Sequence, residues 1–287
     1  MKHYATPLIA LLLALCTFIS CSKPIEESPV EEKSHITVYV SPFSLSMEEM
    51  GATRADLTAA ATRLSFAVFN TEGKMVFSVQ QNSKEANFGQ VRMELNSGSY
   101  KMVAVAHNGE GEATITSTTS VTLPGTRFTD TFTKVEDFTV EKGKDCSFTM
   151  TLNRVTSAFI LRISDKAPEE AKEIEVILNN GGDTTKPLML NPTSRLTSVS
   201  YSQTCTIPIS DVSSNVPIYF IGNFNPVAVV VKITAYDEEG KEIISHKLQN
   251  VPLKANETTT ATGNFFTPKV SGTFTVSDWG ADNKFPY

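Results

Sequence analysis

Residues 64–79 read LSFAVFNTEGKMVFSV, and the spacing of the apolar side chains in this stretch decides the class of fold. Every second residue from 64 to 68 is large and apolar, which is the period of a β-strand with one buried face. Turn-forming residues follow at 70–73, and the alternation resumes over 75–79. The stretch therefore predicts a β-hairpin whose turn uses Gly73 at a positive φ.

The same period of two recurs along the rest of the chain. Residues 91–95 and 100–104 predict two more strands, paired across a turn at 96–99. Residues 46–63 predict either a helical turn or a long loop, and residues 168–172 indicate a helical turn in the second half. Many short strands separated by turn residues predict an all-β chain of antiparallel β-sandwiches. In the second half, strands are predicted at 174–178, 196–202, 204–209, 217–221, 227–236, 242–248, 258–265 and 273–279.

Residues 152–163 mark the predicted domain boundary, because one alternation runs into the next there without Gly or Pro. Leu152 ends the first apolar pattern and Val155 begins the second, which leaves little slack for a hinge. The chain has 287 residues, enough for two domains at about 150 residues each. We therefore expect an N-terminal sandwich over 35–153 and a C-terminal sandwich over 154–287.

A short internal match supports the idea that the two sandwiches are alike. Residues 67–74 read AVFNTEGK, and residues 234–241 read TAYDEEGK. Duplication of one domain would produce such a match. Turns that contain acidic residues and end in Gly-Lys are common, so chance similarity is the alternative.

The first 21 residues have the layout of a secretory signal. A basic residue precedes an unbroken apolar run at 8–15, and Cys21 follows soon after this run. The apolar segment 8–19 would span roughly 18 Å as a helix, which is too short for a bilayer core of about 30 Å. Residues 18–21, Phe-Ile-Ser-Cys, resemble a bacterial lipobox, which implies that Cys21 is lipidated and becomes the mature N-terminus. An ordinary signal peptide cut near Ser20 is the alternative.

Residues 22–34 follow this signal with a different composition. They contain two prolines, four glutamates and only two aliphatic side chains. Such a segment cannot bury enough apolar surface to fold. We expect it to be a flexible tether.

Charge and cysteine content limit the possible partners and cross-links. The formal net charge is −6, which argues against nucleic acid and against electrostatic binding to anionic lipid. Besides Cys21, the chain after the signal contains Cys146 and Cys205, too few for a disulfide scaffold. Whether these two cysteines pair is left open. The alternation over 146–152 predicts that Cys146 is a small buried hydrophobe.

The sequence predicts no catalytic, cofactor or metal site. His35, His107 and His246 are isolated, and each lies in or beside a strand pattern. No H-E-x-x-H, G-x-S-x-G or P-loop motif occurs. Residues 237–240 are too few for a calcium loop and predict a turn. We therefore expect a non-enzymatic protein.

Several features, taken in their order along the chain, resemble the fimbrillin-like subunits of Bacteroidales fimbriae. They are Cys21, the turn at 71–74, the turn and strand at 95–104, the segment 152–154, the turn at 236–241, and residues 256–259 and 278–279. The resemblance implies two tandem transthyretin-like (Ig-like) β-sandwiches behind a lipoprotein signal peptide and a short linker. It also implies a lipid-anchored location at the cell outer membrane and donor-strand-type contacts with other fimbrial subunits.

Two roles within that family fit the resemblance. An anchoring subunit keeps its lipid and holds the base of the fibre to the outer membrane. A stalk or tip subunit is instead cut after an arginine in the first domain, and Arg54 lies where such a cut would fall. A solvated loop arginine is the alternative interpretation of Arg54.

A surface glycan-binding lipoprotein is the alternative from another functional class. Such a protein would present a row of exposed aromatic side chains, although most aromatics here are expected in the core. An N-terminal strand that closes a groove would favour the fimbrial role instead. The candidate aromatics are Tyr201, Tyr219, Phe224 and Trp279.

Overall fold

The computed structural model describes residues 33–41, 57, 60–125, 127–179, 187–197, 202–209, 217–221, 227–267 and 272–278. Their regular structure is almost entirely β-strand, so the predicted all-β class is confirmed. Leu57 and Ala60 are helical, and the amide of Ala61 donates to the carbonyl of Leu57 at 2.8 Å. This confirms a helical turn within 46–63. Across the described ranges, no helix is long and apolar enough to cross a membrane.

Ten of the strands in these ranges precede residue 155. They are β1 (Ser34–Ser41), β2 (Arg63–Asn70), β3 (Met75–Asn82), β4 (Gln90–Leu95), β5 (Gly98–His107), β6 (Thr114–Ser117), β7 (Ser120–Leu123), β8 (Thr131–Val140), β9 (Cys146–Thr151) and β10 (Asn153–Arg154).

Ten further strands follow in the described part of the second half. They are β11 (Thr156–Ile163), β12 (Glu173–Asn179), β13 (Leu188–Asn191), β14 (Leu196–Thr197), β15 (Ser202–Pro208), β16 (Pro217–Ile221), β17 (Val227–Tyr236), β18 (Glu242–Leu253), β19 (Glu257–Gly263) and β20 (Gly272–Asp278). Among these, β13 was not predicted from the sequence.

Strands β1–β5 and β8–β10 form what we call the first sandwich. One sheet has the order β4-β1-β9, and the other has the order β10-β8-β5-β2-β3. The apolar faces of the two sheets meet in a common core, whose largest fully buried side chains include Ile36, Leu64, Phe66, Met102, Phe132 and Met150.

Strands β11, β12 and β15–β20 form what we call the second sandwich. Its sheets have the orders β16-β11-β19-β20 and β15-β12-β17-β18. The strand order of the first sandwich recurs here, because β4-β1-β9 corresponds to β16-β11-β19 and β8-β5-β2-β3 to β18-β17-β12-β15. In both, the first strand pairs antiparallel on one side and parallel on the other.

The two halves of the chain also share structure directly. A four-stranded sheet of order β14-β13-β7-β6 joins strands from both halves, with Leu188 opposite Leu123. Phe69 and Val105 on the outer face of the first sandwich pack into the core of the second. Strands β2 and β5 are therefore apolar on both faces, which explains the nearly unbroken apolar sequence of β2. The domain limits 35–153 and 154–287 stay a prediction.

The predicted pairing of 91–95 with 100–104 is wrong. Strand β4 pairs with β1, whereas β5 pairs with β2 and β8 in the opposite sheet. The turn between them crosses the sandwich, and the hydroxyl of Tyr100 donates to the carbonyl of Asn96 at 3.0 Å. Alternation shows that each strand has an apolar face. It does not show which of the two sheets around the core contains the strand.

The internal match between 67–74 and 234–241 reflects two turns of the same geometry. The Asn70 carboxamide oxygen accepts from the amides of residues 72 and 74, as the Asp237 carboxylate does from those of 239 and 241. The first turn joins β2 to β3, and the second joins β17 to β18. These hairpins do not correspond in the repeated strand order, so the match is a shared turn and not the trace of duplication.

Candidate functional site: the first strand and its slot

Strand β1 is the first described strand of the chain, yet it lies in the middle of its sheet. It runs antiparallel to β4 and parallel to β9, and both neighbours pair with it over most of its length. We call the space between β4 and β9 the β1 slot. If β1 left this slot, two strand edges would lose their hydrogen-bonding partners.

The inward face of β1 supplies part of the first core. Ile36, Val38 and Val40 are each at most 1% exposed. The intervening residues His35 and Tyr39 are exposed on the outer face. Burial of three aliphatic side chains stabilises the sandwich by roughly 1.5–3 kcal/mol each. The slot therefore selects a strand with branched aliphatic residues at alternate positions.

Polar contacts fix the two ends of β1. At its start, the Ser34 hydroxyl donates to the Glu141 carbonyl at 2.9 Å, and the His35 amide donates to the Asp145 carboxylate at 2.9 Å. At its end, the amide of Leu152 donates to the carbonyl of Ser41 at 2.7 Å. The register of the strand in the slot is thus set at both ends, and sequence reasoning gave no sign of these contacts.

A buried ion pair lies where the chain passes from the first sandwich to the second. The Arg154 guanidinium donates to both carboxylate oxygens of Asp130, at 2.9 and 3.1 Å, and lies 4.9 Å above the Phe132 ring. It also donates to the side chain of Asn256, in the turn before β19, at 3.1 Å. Arg154 therefore connects β8 of the first sandwich to the second sandwich.

The electrostatics of this pair follow from its burial. The side chains of Asp130 and Arg154 are 5% and 7% exposed. Burial raises the pKa of Asp130, while the Arg154 guanidinium and hydrogen bonds from Thr156 and the Thr131 amide act in the opposite direction. A bidentate pair in this setting fixes geometry as well as charge. The sequence signal was the segment 152–154, noted without a role for its arginine.

The outer face of β1 bears on the glycan-binding alternative. Among the described residues, Tyr39 is the sole aromatic in the set of exposed large hydrophobic side chains, at 38% exposure. Its hydroxyl accepts a hydrogen bond from Gln90 at 3.3 Å, beside a cavity of about 230 Å³. A row of exposed aromatics is not present in this part of the chain.

Several predicted site residues lie outside the described residues. These include the lipidation candidate Cys21 and the processing candidate Arg54. The aromatic candidates Tyr201, Phe224 and Trp279 lie outside as well, and for Tyr219 only the backbone, in β16, is described. Their proposed roles stay predictions.

Cys146 is half-buried, which corrects the expectation of a buried residue. It opens β9, at an edge of its sheet, so no further strand covers it. Its thiol is free. Burial raises the pKa of the Cys146 thiol, and the negative charge of Asp145 adds to this effect. Both effects disfavour the thiolate that nucleophilic chemistry needs.

The three histidines of the described residues lie in three different strands, β1, β5 and β18. His107 is 1% exposed at the end of β5, and its pKa is lowered to about 4 by burial and by the charge of Arg63. His35 lies on the surface, 3.5 Å from Glu94. Nε2 of His246 lies 3.0 Å from the Phe265 carbonyl oxygen. Within the described ranges, no group of His, Cys, Asp and Glu is arranged to hold a metal ion.

The strand order and the β1 slot together define a tandem β-sandwich protein. The chain belongs to a family of unknown function, DUF6562, which matches residues 32–285. No curated protein matches it.

Three solved structures that match this chain come from Bacteroides, Porphyromonas and Parabacteroides. A candidate polysaccharide-binding protein (DUF1812) of Bacteroides thetaiotaomicron has a TM-score of 0.51 and 14% identity, over 88% of this chain and 100% of that one. The tip fimbrial protein Mfa3 of Porphyromonas gingivalis, with a C-terminal truncation, has a TM-score of 0.41 and 11% identity, over 86% and 100%. A fimbrial assembly protein of Parabacteroides distasonis has a TM-score of 0.45 and 11% identity, over 86% of this chain and 98% of that one. The first likeness shows a shared fold.

Proposed function

We propose that this protein is a non-enzymatic structural subunit of cell-surface fimbriae, joined to its neighbours by β-strand addition. Its most specific role would be the subunit at the fibre base, held to the outer membrane by a lipidated Cys21. The two sandwiches, with proposed limits 35–153 and 154–287, would transmit tension between fibre and membrane. The resemblance in sequence order and the tandem sandwich fold support this proposal.

The position of β1 is the observation that carries the proposal. Strand β1 is the first described strand, and once the chain is cut after it, it can leave the sheet and be replaced by another chain's strand without any threading of the backbone. The β1 slot offers such a donor two rows of backbone partners and a core that accepts alternate aliphatic side chains. Backbone pairing would supply affinity, and the pockets of Ile36, Val38 and Val40 would supply specificity.

Arg54 distinguishes the base role from the stalk or tip role. It lies between β1 and β2 in the sequence, so one cut after it would separate β1 from the rest of the chain. A base subunit keeps β1 in its slot and keeps its lipid. A stalk or tip subunit loses β1 and begins at Ala55.

N-terminal sequencing of the native protein, with mass analysis of its first peptide, tests these roles. An acylated cysteine that is followed by residues 22–34 is the result expected for the base subunit. A mature chain that begins at Ala55 would identify a stalk or tip subunit. Recovery of the protein in soluble form, with an unmodified N-terminus near residue 21, would contradict the anchor.

The variant Cys21→Ala provides the matching cell experiment. It should leave the membrane fraction, because a single acyl attachment point is removed. Cys146→Ala is the matched control and should stay with the membrane. Retention of the Cys21→Ala variant in the outer membrane would overturn the lipid anchor while leaving strand addition to be tested by itself.

A further inference from the structure

The loop that follows β5 brings a histidine against an Asn-Gly pair. The backbone amide of Gly109 donates to Nδ1 of His107 at 3.0 Å. Because Nδ1 accepts this hydrogen bond, the ring proton of the neutral histidine lies on Nε2. Nε2 is buried and makes no hydrogen bond to any described residue. His107 is therefore positioned as a proton acceptor for one particular backbone amide.

The residue between them carries the group that this amide can attack. Asn108 precedes Gly109, and its Cγ and the Gly109 nitrogen approach each other by rotation about only two bonds. Gly109 permits the close contact, since a Cβ there would lie 3.2 Å from Nδ1 of His107 and 3.5 Å from the Thr129 hydroxyl. Asn108 and Gly109 are both half-buried, so water reaches them.

We propose that Asn108 is a self-modifying residue, which loses its side-chain amide with His107 acting as the base that takes the proton of the Gly109 amide. The Gly109 nitrogen forms a bond to Cγ of Asn108, and the Cγ–Nδ2 bond breaks. The proton held by His107 passes to Nδ2, which leaves as ammonia. Water then opens the resulting five-membered imide at either carbonyl and produces aspartate or isoaspartate.

The surroundings of His107 keep Nδ1 unprotonated, and they also make the ring a weaker base than an exposed histidine. Burial, and then the charge of Arg63, lower its pKa to about 4, so the ring is neutral at pH 7 and Nδ1 is available. Arg63 is its cross-strand neighbour on β2, and Glu112 lies 3.7 Å from the Arg63 guanidinium. Among the described residues, Arg63 is the charged group that shifts the pKa of His107, and Glu112 lies beside Arg63. An imidazolium is costly here, so the proton stays on the ring only briefly.

The modification would change a structural contact. Nδ2 of Asn108 donates to the carbonyl of Ala60, a helical residue, at 2.9 Å. A carboxylate at residue 108 would face that carbonyl with an acceptor in place of a donor. The turn that follows Arg54 in the sequence would therefore lose a bond as the protein ages.

The test follows the two Asn-Gly pairs of the full chain during incubation at neutral pH. Peptide mass spectrometry measures conversion of Asn108 and of Asn180, which precedes Gly181 and follows Asn179 instead of a histidine. In the variant His107→Gln, conversion at Asn108 should slow by about tenfold, which is less than the usual general-base effect because the lowered pKa of His107 makes it a weak base. Conversion at Asn180 should not change. His246→Gln is the matched control and should change neither rate.

A measurement on the unmodified chain guards against a variant that does not fold. Attack driven by hydroxide accelerates about tenfold for each pH unit, whereas attack assisted by neutral His107 should vary much less between pH 5 and 8. An Asn108 that stays an amide while Asn180 converts would overturn the proposal. So would an Asn108 rate that rises tenfold per pH unit, or one that is unchanged in a folded His107→Gln variant.

Discussion

The two sandwiches have the same strand order, but the chain holds their first strands in different ways. Strands β1 and β11 each lie between an antiparallel and a parallel neighbour. Strand β11 follows directly after β10. Because β10 pairs with β8, the first residue of β11 is held in place by the chain before it. Strand β1 has only Lys33 before it in the described part. The same position is thus held by a strand that continues from a paired strand in one sandwich and by the first described strand in the other.

A second difference concerns what each core needs from the other half. The second core includes Phe69 and Val105 of the first sandwich, whereas every member of the first core lies before residue 153. The sheet that contains β2 and β5 is therefore supported on both faces. Loss of β1 would open one face of this sheet and leave the other covered.

Removal of β1 should change the stability of the first sandwich more than any of the other changes below. A chain that begins at Ala55 lacks the buried side chains of Ile36, Val38 and Val40, a loss of about 5–9 kcal/mol from burial alone. That is of the order of a whole domain's stability. Hydrogen exchange should show β4 and β9 unprotected, with β12 and β17 still protected.

A peptide with the sequence of residues 34–41 should restore protection of β4 and β9 in that shortened chain. The matched control peptide carries serine at positions 36, 38 and 40 and should not bind. Uniform loss of protection across both sandwiches would contradict the independence inferred for the second core. Full protection without any peptide would show that the slot does not need a strand.

Breaking the junction pair should have the next largest effect. Arg154→Ala leaves the buried Asp130 carboxylate without its guanidinium, and we expect a loss of about 3–5 kcal/mol in the free energy of unfolding. Urea denaturation measures this loss. The double variant Arg154→Met with Asp130→Leu should cost less than Arg154→Ala alone. If the costs of Arg154→Met and Asp130→Leu, each measured alone, add up to the cost of the double variant, the two side chains do not act as a pair.

The buried histidine of the first sandwich predicts a pH dependence. The folded-state pKa of His107, about 4, lies below the ordinary histidine pKa of 6.5, so the unfolded chain binds the proton first as pH falls. The stabilisation is complete above pH 6.5 and disappears between pH 6.5 and 4, a loss of about 3 kcal/mol. The stability difference between the wild type and His107→Gln, followed by denaturation from pH 7 to 4, should shrink accordingly. A stability difference that stays constant from pH 7 to 4 would argue against the lowered pKa of His107.

The two similar turns should respond equally to the same change. Gly73 and Gly240 have φ values of 76° and 77°, and no atom lies within 4 Å of a Cβ built at either position. Replacement by alanine should cost about 1–2 kcal/mol in each case, from backbone conformation alone. Thermal unfolding of the two single variants tests this. A cost several times larger in one variant would show that its turn also carries tertiary contacts.

Sequence reasoning succeeded where the signal is local. The turn residues around Gly73 and Gly240 predicted their hairpins, and seven of the eight strands predicted after residue 170 appear at nearly the expected positions. Of the eighth, predicted at 196–202, residues 198–201 lie outside the described ranges. Strand β13 was missed, since its four residues leave little room for a period of two to show. The pairing of β4 was predicted wrongly, and the sequence left the internal match open between duplication and chance, because both questions depend on which distant strands meet.

By itself, the sequence determined that this protein is all-β, where most strands lie and which turns join the hairpins, because alternation and turn chemistry act between neighbouring residues. Only the tertiary structure decided that β1 lies between β4 and β9, that Arg154 meets Asp130, and that β7 and β13 share a sheet. These contacts join residues far apart in the chain, such as Ile36 and Cys146. A strand pattern encodes a face to be buried, and it does not encode the partner that buries it.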